Sequence, residues 1–238
     1  MNTVDMRDAA QAGVIIDAYR HGPVVVQLPT VFAVVAPPTR DGVVGLDRAK
    51  QRLPNKTYGS LVGERSSFWD LAQLGLHVAT EELTKIEDVF FRVSIGAEDL
   101  ETAVVRRGTH QGIQLSGAAG ALMRALDGAM APEPSLFGGK MYTSPLGSSW
   151  NISGDADGSI VERDRAIHVA RAQGIALFVT GPSSADKGSY PIVELDEGAA
   201  CVRREGPGLK TALDAIEEAL TSNERLIEGG SVPTLGRA

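Results

Sequence analysis

Lys50-Gln51-Arg52 places an ammonium and a guanidinium two residues apart. They sit within RAKQRLPNKTYGS (residues 48–60), where Arg48, Lys50, Arg52 and Lys56 put four cations into nine positions. A lysine point charge beside an arginine fork suits a polyphosphate. Further on, SSWNISG (residues 148–154) offers Ser148, Ser149, Asn151 and Ser153 and closes on Gly154. Such a loop donates several hydrogen bonds to phosphate or carboxylate oxygens when its backbone N–H groups also turn the same way. Read singly, the first stretch is a solvated helix end running into a turn, and the second a plain Ser/Asn/Gly turn. A third piece, Arg204-Glu205-Gly206, ends a late apolar run.

Other chemistries find no support. The sequence holds no P-loop, no GxGxxG after a strand, and no HExxH, CxxC or GxSxG motif. His21, His77, His110 and His168 stand apart, without a second histidine or cysteine at metal-ligand spacing. Glu81-Glu82 and Glu217-Glu218 read as solvated helix faces. The single cysteine, Cys201, excludes an intrachain disulfide, reads as a small buried hydrophobe, and points to a reducing cytoplasm. No run reaches the roughly 18–20 apolar residues of a membrane span, and the N-terminus lacks the basic region of a secretory signal. The formal charge of -7 argues against non-specific binding along a nucleic-acid duplex, which depends on phosphate neutralisation. It leaves room for a small cationic pocket in an acidic chain.

These groups need a scaffold, and the apolar patterning supplies one. PVVVQLP (23–29) and VFAVVAP (31–37) read as neighbouring strands, the second ended by Pro37-Pro38. GVVGLDRAK (42–50) is a short helix that ends on Lys50, and TYGSLVG (57–63) is a strand. SSFWDLAQLGLHVATEEL (66–83) is a helix with a serine cap, DVFFRVSI (88–95) a half-buried strand, GIQLS (112–116) a brief one and GAAGALMRALDGAM (117–130) an amphipathic helix. MYTSPLG (141–147) forms a strand that delivers SSWNISG. SIVERDRAIHVARAQG (159–174) is a helix closed by glycine, and IALFVTG (175–181), SYPIVEL (189–195) and AACVRREG (199–206) are strands. GLKTALDAIEEALTSNERL (208–226) is the last helix. The alternation favours one α/β domain over residues 1–222, with a flexible tail over 223–238. Ligands in such sheets gather at the carboxyl ends of strands.

Taken in order, K-x-R after a short helix, S-x-N-x-S-G and a late R-x-G resemble the YrdC-like threonylcarbamoyl-adenylate synthases. GPVVVQLPT and SYPIVEL also stand where that family has a Pro-Thr strand and a Ser-Thr-Val strand. The resemblance implies a single open twisted α/β sheet of the YrdC-like type, with helices on its faces and a cationic concave pocket. It implies condensation of ATP, bicarbonate and an amino acid, threonine by default, into a carbamoyl-adenylate with release of pyrophosphate. Mg2+ would be carried by the nucleotide and the product used in tRNA modification. By motif position Lys50, Arg52, Lys56, Ser149, Asn151, Ser153 and Arg204 would bind nucleotide; Thr30, Gln114 and Ser189 would bind the other substrates. No residue is assigned to a covalent catalytic role, since adenylation needs orientation and charge neutralisation more than a nucleophile.

The sequence departs from the family pattern at three places. Pro29-Thr30 is followed by Val31-Phe32-Ala33 in place of polar and aromatic residues, Gln114 replaces an arginine, and Ser189 is followed by Tyr190-Pro191. The losses fall on the amino-acid side, so nucleotide binding is the better supported half. Two alternatives stay open: a paralogue that binds nucleotide or RNA without the full reaction, and an enzyme that moves a carbamoyl group onto another acceptor.

Overall fold

The computed structural model describes residues 1–54, 56–72, 80–154, 158–196, 199–224 and 236–237. Strand β1 (Asn2–Asp5) precedes helix α1 (Ala12–His21), which buries Ile15 and Tyr19. The valine-rich runs form β2 (Val24–Gln27) and β3 (Phe32–Ala36), paired antiparallel from Val24–Val35 to Gln27–Phe32. Helix α2 (Arg40–Lys50) starts at Thr39, whose hydroxyl accepts from Gly42 N at 3.0 Å, and leads to β4 (Gly59–Val62). Of the helix expected over 66–83, residues 73–79 lie outside the described residues; α3 (Arg65–Leu71) stops at Ala72, whose backbone is extended, and Thr80–Leu83 forms α4. Then come β5 (Phe90–Ser94), β6 (Thr109–Gln114), α5 (Gly117–Leu126) and β7 (Leu146–Ser149). Helix α6 (Arg163–Ala172), β8 (Leu177–Thr180), β9 (Ile192–Asp196), β10 (Ala199–Arg204) and α7 (Leu209–Glu224) follow. Of the expected tail, Gly236–Arg237 forms β11, parallel to β10; 225–235 and 238 lie outside the described residues.

All the described strands join one mixed open sheet of eleven, ordered β1-β8-β2-β3-β7-β4-β6-β5-β9-β10-β11. Strand alternation splits the apolar side chains between its two faces. Val43, Leu46 and Ala49 of α2, Phe68 of α3, Ala166 of α6 and Ile216 of α7 share one core with the even-numbered residues of β3. Ile15 and Tyr19 of α1 and Leu122 and Met123 of α5 share the other with Ala33, Leu61 and Ile113. Among the described residues two helices, α1 and α5, cover that second face in part. No helix among the described residues is long and apolar enough to cross a membrane.

Two expected elements shift, and one strand appears that was not expected. SIVE (159–162) is extended rather than helical, because Ile160 bridges the β3 and β7 ends: Phe32 N donates to its carbonyl at 3.3 Å and its N–H to Trp150 O at 2.9 Å. The strand expected over 141–147 lies at 146–149, after Pro145. Strand β1, four residues with two exposed polar ones, carried too little alternation to be read.

His110 of β6 is buried. Its Nδ1 lies 2.7 Å from Val104 O, and its Nε2 lies 2.8 Å from Ser60 Oγ, so the neutral ring donates to one and accepts from the other. Burial pushes its pKa down to about 4 from the usual value near 6.5. The unfolded chain therefore takes up this proton first. The contribution is intact above pH 6.5 and is lost as the pH falls to about 4, by about 3 kcal/mol in all. Urea midpoints measured across that range should fall less steeply in His110→Gln than in the wild type.

Candidate functional site

Lys50 is the last residue of α2 and only 1% exposed. A buried ammonium must find acceptors, and it finds three: Ser149 O at 2.5 Å, Asn151 Oδ1 at 2.6 Å and Asn151 O at 3.1 Å. These match the three protons of the ammonium form. Ser153 N in turn donates to Lys50 O at 2.9 Å. The two sequence motifs are therefore one structural unit, with Lys50 as the pin that shapes the SSWNISG loop. Burial, with Arg52 and Lys56 nearby, pushes Lys50 down to about 7.

The chain leaves α2 through Gln51, held at a left-handed φ of 47°, so that Arg52 N returns to Asp47 O at 3.0 Å. The Arg52 guanidinium lies 4.3 Å above the Tyr58 ring and donates through Nη2 to Thr57 O. Tyr58 Oη donates to Asp47 Oδ1 at 2.7 Å, which fixes the ring. Arg52 Nε is buried and has no hydrogen-bond partner among the described residues. Burial also holds the Arg52 pKa below the usual arginine range. An unpartnered buried donor on a charged group is costly unless something outside the chain accepts from it.

Beside these residues the open face holds a cavity of about 60 Å3 in a cleft whose open space comes to about 520 Å3. Its apolar wall includes Leu28, Val31, Ala33, Leu61, Phe90 and Ile113, and its polar groups include Thr57, Gln111, Ser148, Ser149, Ser189 and Arg204. Glycine keeps its floor open, since a Cβ on Gly59 would meet Gln111 and Phe90 at 3.0 Å. Arg204 donates through Nε and Nη2 to Tyr190 O at 3.0 and 2.6 Å, while the Ser189 and Ser159 hydroxyls lie 2.6 Å apart. Partial burial, then the neighbouring Arg92, lowers the Arg204 pKa. Ser184 N and Gly188 N donate to Pro29 O and Thr30 O at 2.8 and 2.9 Å, which folds the segment between β8 and β9 over residues 29–30.

The expected site residues divide by position. Ser149, Ser189 and Arg204 line the cavity; Lys50, Asn151 and Ser153 form the support behind it; Arg52 adjoins it through Thr57. Lys56 lies outside, on a neighbouring depression with Thr57 and Arg107. Thr30 is buried beside Tyr190, and the hydroxyls of both lack partners among the described residues. Gln114 is not brought to the site. It pairs with Val62, on the sheet face opposite Gln111 and Ile113. Thr57, Gln111 and Tyr190 belong to the cavity without having been expected there, and Ser148, one of the hydroxyls of the SSWNISG loop, lines it beside Ser149. The alternation of Gln111 and Ile113 along β6 is the signal that would have found the first polar group of that strand.

No protein-family model and no curated protein sequence matches the chain. Solved structures do. E. coli YciO aligns with a TM-score of 0.63 at 15% identity, over 86% of this chain and 93% of that one. P. abyssi Sua5, solved in complex with L-threonine, aligns with a TM-score of 0.62 at 18% identity, over 92% of this chain and 62% of that one. Full-length HypF, in a phosphate- and nucleotide-bound form, aligns with a TM-score of 0.62 at 13% identity, over 82% and 29%. The chain thus spans less than two thirds of Sua5 and under a third of HypF, and what it shares with all three is the fold.

Proposed function

From this YrdC-like fold and the site built on it, we propose that the chain binds an adenine nucleotide in the cleft and forms a carbamoyl-adenylate from ATP, bicarbonate and an amino acid, threonine by default. The observation that carries the reading is the pinning of the Ser149–Asn151 loop by Lys50, next to an Arg52 whose buried Nε has no partner. In the reaction the substrate amine and bicarbonate give a carbamate and water. A carbamate oxygen then bonds to the α-phosphorus as the bond to pyrophosphate breaks. Magnesium would arrive with the nucleotide phosphates.

The residues have separable tasks. Arg52 and the hydroxyl and backbone N–H of Ser149 hold phosphate oxygens and stabilise the charge that builds on them, while Lys50, Asn151 and Ser153 keep the loop in shape. Arg204 and Ser189 close the far side of the cavity, where Thr30 and Tyr190 offer hydroxyls to the amino acid. The product would serve modification of a tRNA, and a cytoplasmic setting suits that use.

Thermal-shift measurements with ATP, AMP and a set of amino acids test the binding half. ATP and AMP should raise the melting temperature in proportion to the logarithm of their concentration, and Arg52→Ala should remove the effect. No shift with either nucleotide would overturn it. A second reading, nucleotide binding without the full reaction, is favoured by the apolar wall of Leu28, Val31 and Ala33, where a polar amino acid would find few partners. Nucleotide-dependent stabilisation with no amino-acid effect would decide for it.

A further inference from the structure

The cavity beside Ser149 owes its shape to two glycines. Gly59 of β4 and Gly147 of β7 pair directly across the ladder, so the sheet carries no side chain at that point. A Cβ on Gly147 would run into the Leu61 side chain, and one on Gly59 would crowd Phe90. The hollow is walled by Leu28, Val31 and Ala33 from one direction and by Leu61, Phe90 and Ile113 from the other. Strand order accounts for this, since β2 and β3 lie beyond β7, and β6 and β5 lie beyond β4. Apart from Phe90, each of these side chains is at most 4% exposed, so a group placed between them is shielded from water.

The polar groups that share the lining are already engaged. Thr57 O accepts from Arg52, Gln111 Oε1 from Arg92 at 3.4 Å, and Tyr190 O from Arg204, while the Ser189 hydroxyl lies 2.6 Å from that of Ser159. Ser148 pairs with Val34, whose side chain belongs to the core on the other sheet face, so alternation turns the Ser148 hydroxyl away. The Ser149 hydroxyl has its use on phosphate in the proposed reaction. What remains is the buried Tyr190 hydroxyl, which with Thr30 suits the carboxylate that every amino acid carries. A hydroxyl on the substrate side chain would be desolvated among these walls without a partner. A methyl in its place would gain from the same burial.

We propose, building on the carbamoyl-adenylate reading, that the amino acid taken by this cleft carries a short branched aliphatic side chain, valine being the type, in place of the isosteric threonine. At about 60 Å3 the cavity takes such a group, and neither an aromatic ring nor a purine base. The base and the phosphates are left to the wider cleft outside it.

Ligand-observed NMR titrations of the full chain with valine and with threonine, each with and without AMP, test this. Valine should bind about ten- to hundredfold more tightly than threonine, the range expected when a methyl is exchanged for an unpartnered hydroxyl. Phenylalanine should show no saturable binding. Val31→Thr keeps the outline of the wall and adds a hydroxyl to it; the preference for valine should fall by about tenfold, with a circular dichroism melt showing the variant folded. Threonine binding as tightly as valine, or no saturable binding of valine in either condition, would overturn the proposal. So would a Val31→Thr variant that lost the AMP thermal shift and bound valine unchanged, because the cavity would then belong to the base. A lack of thermal shift with ATP and AMP would end the nucleotide reading, whereas a preference for threonine beside those shifts would end only the aliphatic one.

Discussion

Lys50→Met should both loosen the fold and silence the site. The substitution keeps the apolar stem and removes the ammonium, leaving Ser149 O, Asn151 O and Asn151 Oδ1 without the donor they share. Each buried acceptor so stranded costs about 1–3 kcal/mol, with water and loop relaxation recovering part, so the expected loss is about 3 kcal/mol or more. For a chain of this size that is a fall of about 6–12 °C in melting temperature. Pyrophosphate release should fall by at least about 100-fold, because the loop that would orient the phosphates is no longer held. Lys50→Arg should fail as well, since a planar fork cannot serve three acceptors arranged around one nitrogen. A variant with wild-type melting and full activity would show that the pin is dispensable.

Arg52→Ala should give the opposite balance, a large loss of activity with a modest change in stability. The side chain stacks on Tyr58 and donates to Thr57 O, but its buried Nε is unpartnered, so removing the group also removes a desolvation cost. If Nε and its neighbours hold the charge that develops on the phosphates, the loss in turnover is about 100- to 1000-fold, as for other preorganised donors. Arg52→Lys keeps a charge and loses the fork and the ring stacking, and it should recover little. Direct comparison of turnover and melting temperature in the three proteins separates this role from a structural one. A variant that lost stability and activity in parallel would assign Arg52 to the scaffold alone.

How far these residues could be read from the sequence depended on the range of the forces that place them. The apolar runs at 24–27 and 32–36 formed strands as expected, because burial on both sheet faces leaves no other use for them. Lys50 and Asn151 were visible as residue types. Their direct contact was not, because it joins positions about a hundred apart through the register of β7 on β3 and β4. Gln114 shows the cost of an uncertain register most plainly: β6 begins at Thr109, and period-two alternation then turns Gln111 toward the cavity and Gln114 away.

A cleft that joins a nucleotide to a carbamate, as proposed, can be assayed for both products at once. Purified protein is incubated with ATP, magnesium, bicarbonate and each of the common amino acids in turn, with pyrophosphate measured and the nucleotide products resolved by mass spectrometry. Pyrophosphate release should require bicarbonate and at least one amino acid, should be accompanied by a carbamoyl-adenylate of the corresponding mass, and both should be lost in Arg52→Ala. No bicarbonate-dependent release with any amino acid, or release that persists unchanged in Arg52→Ala, would contradict it.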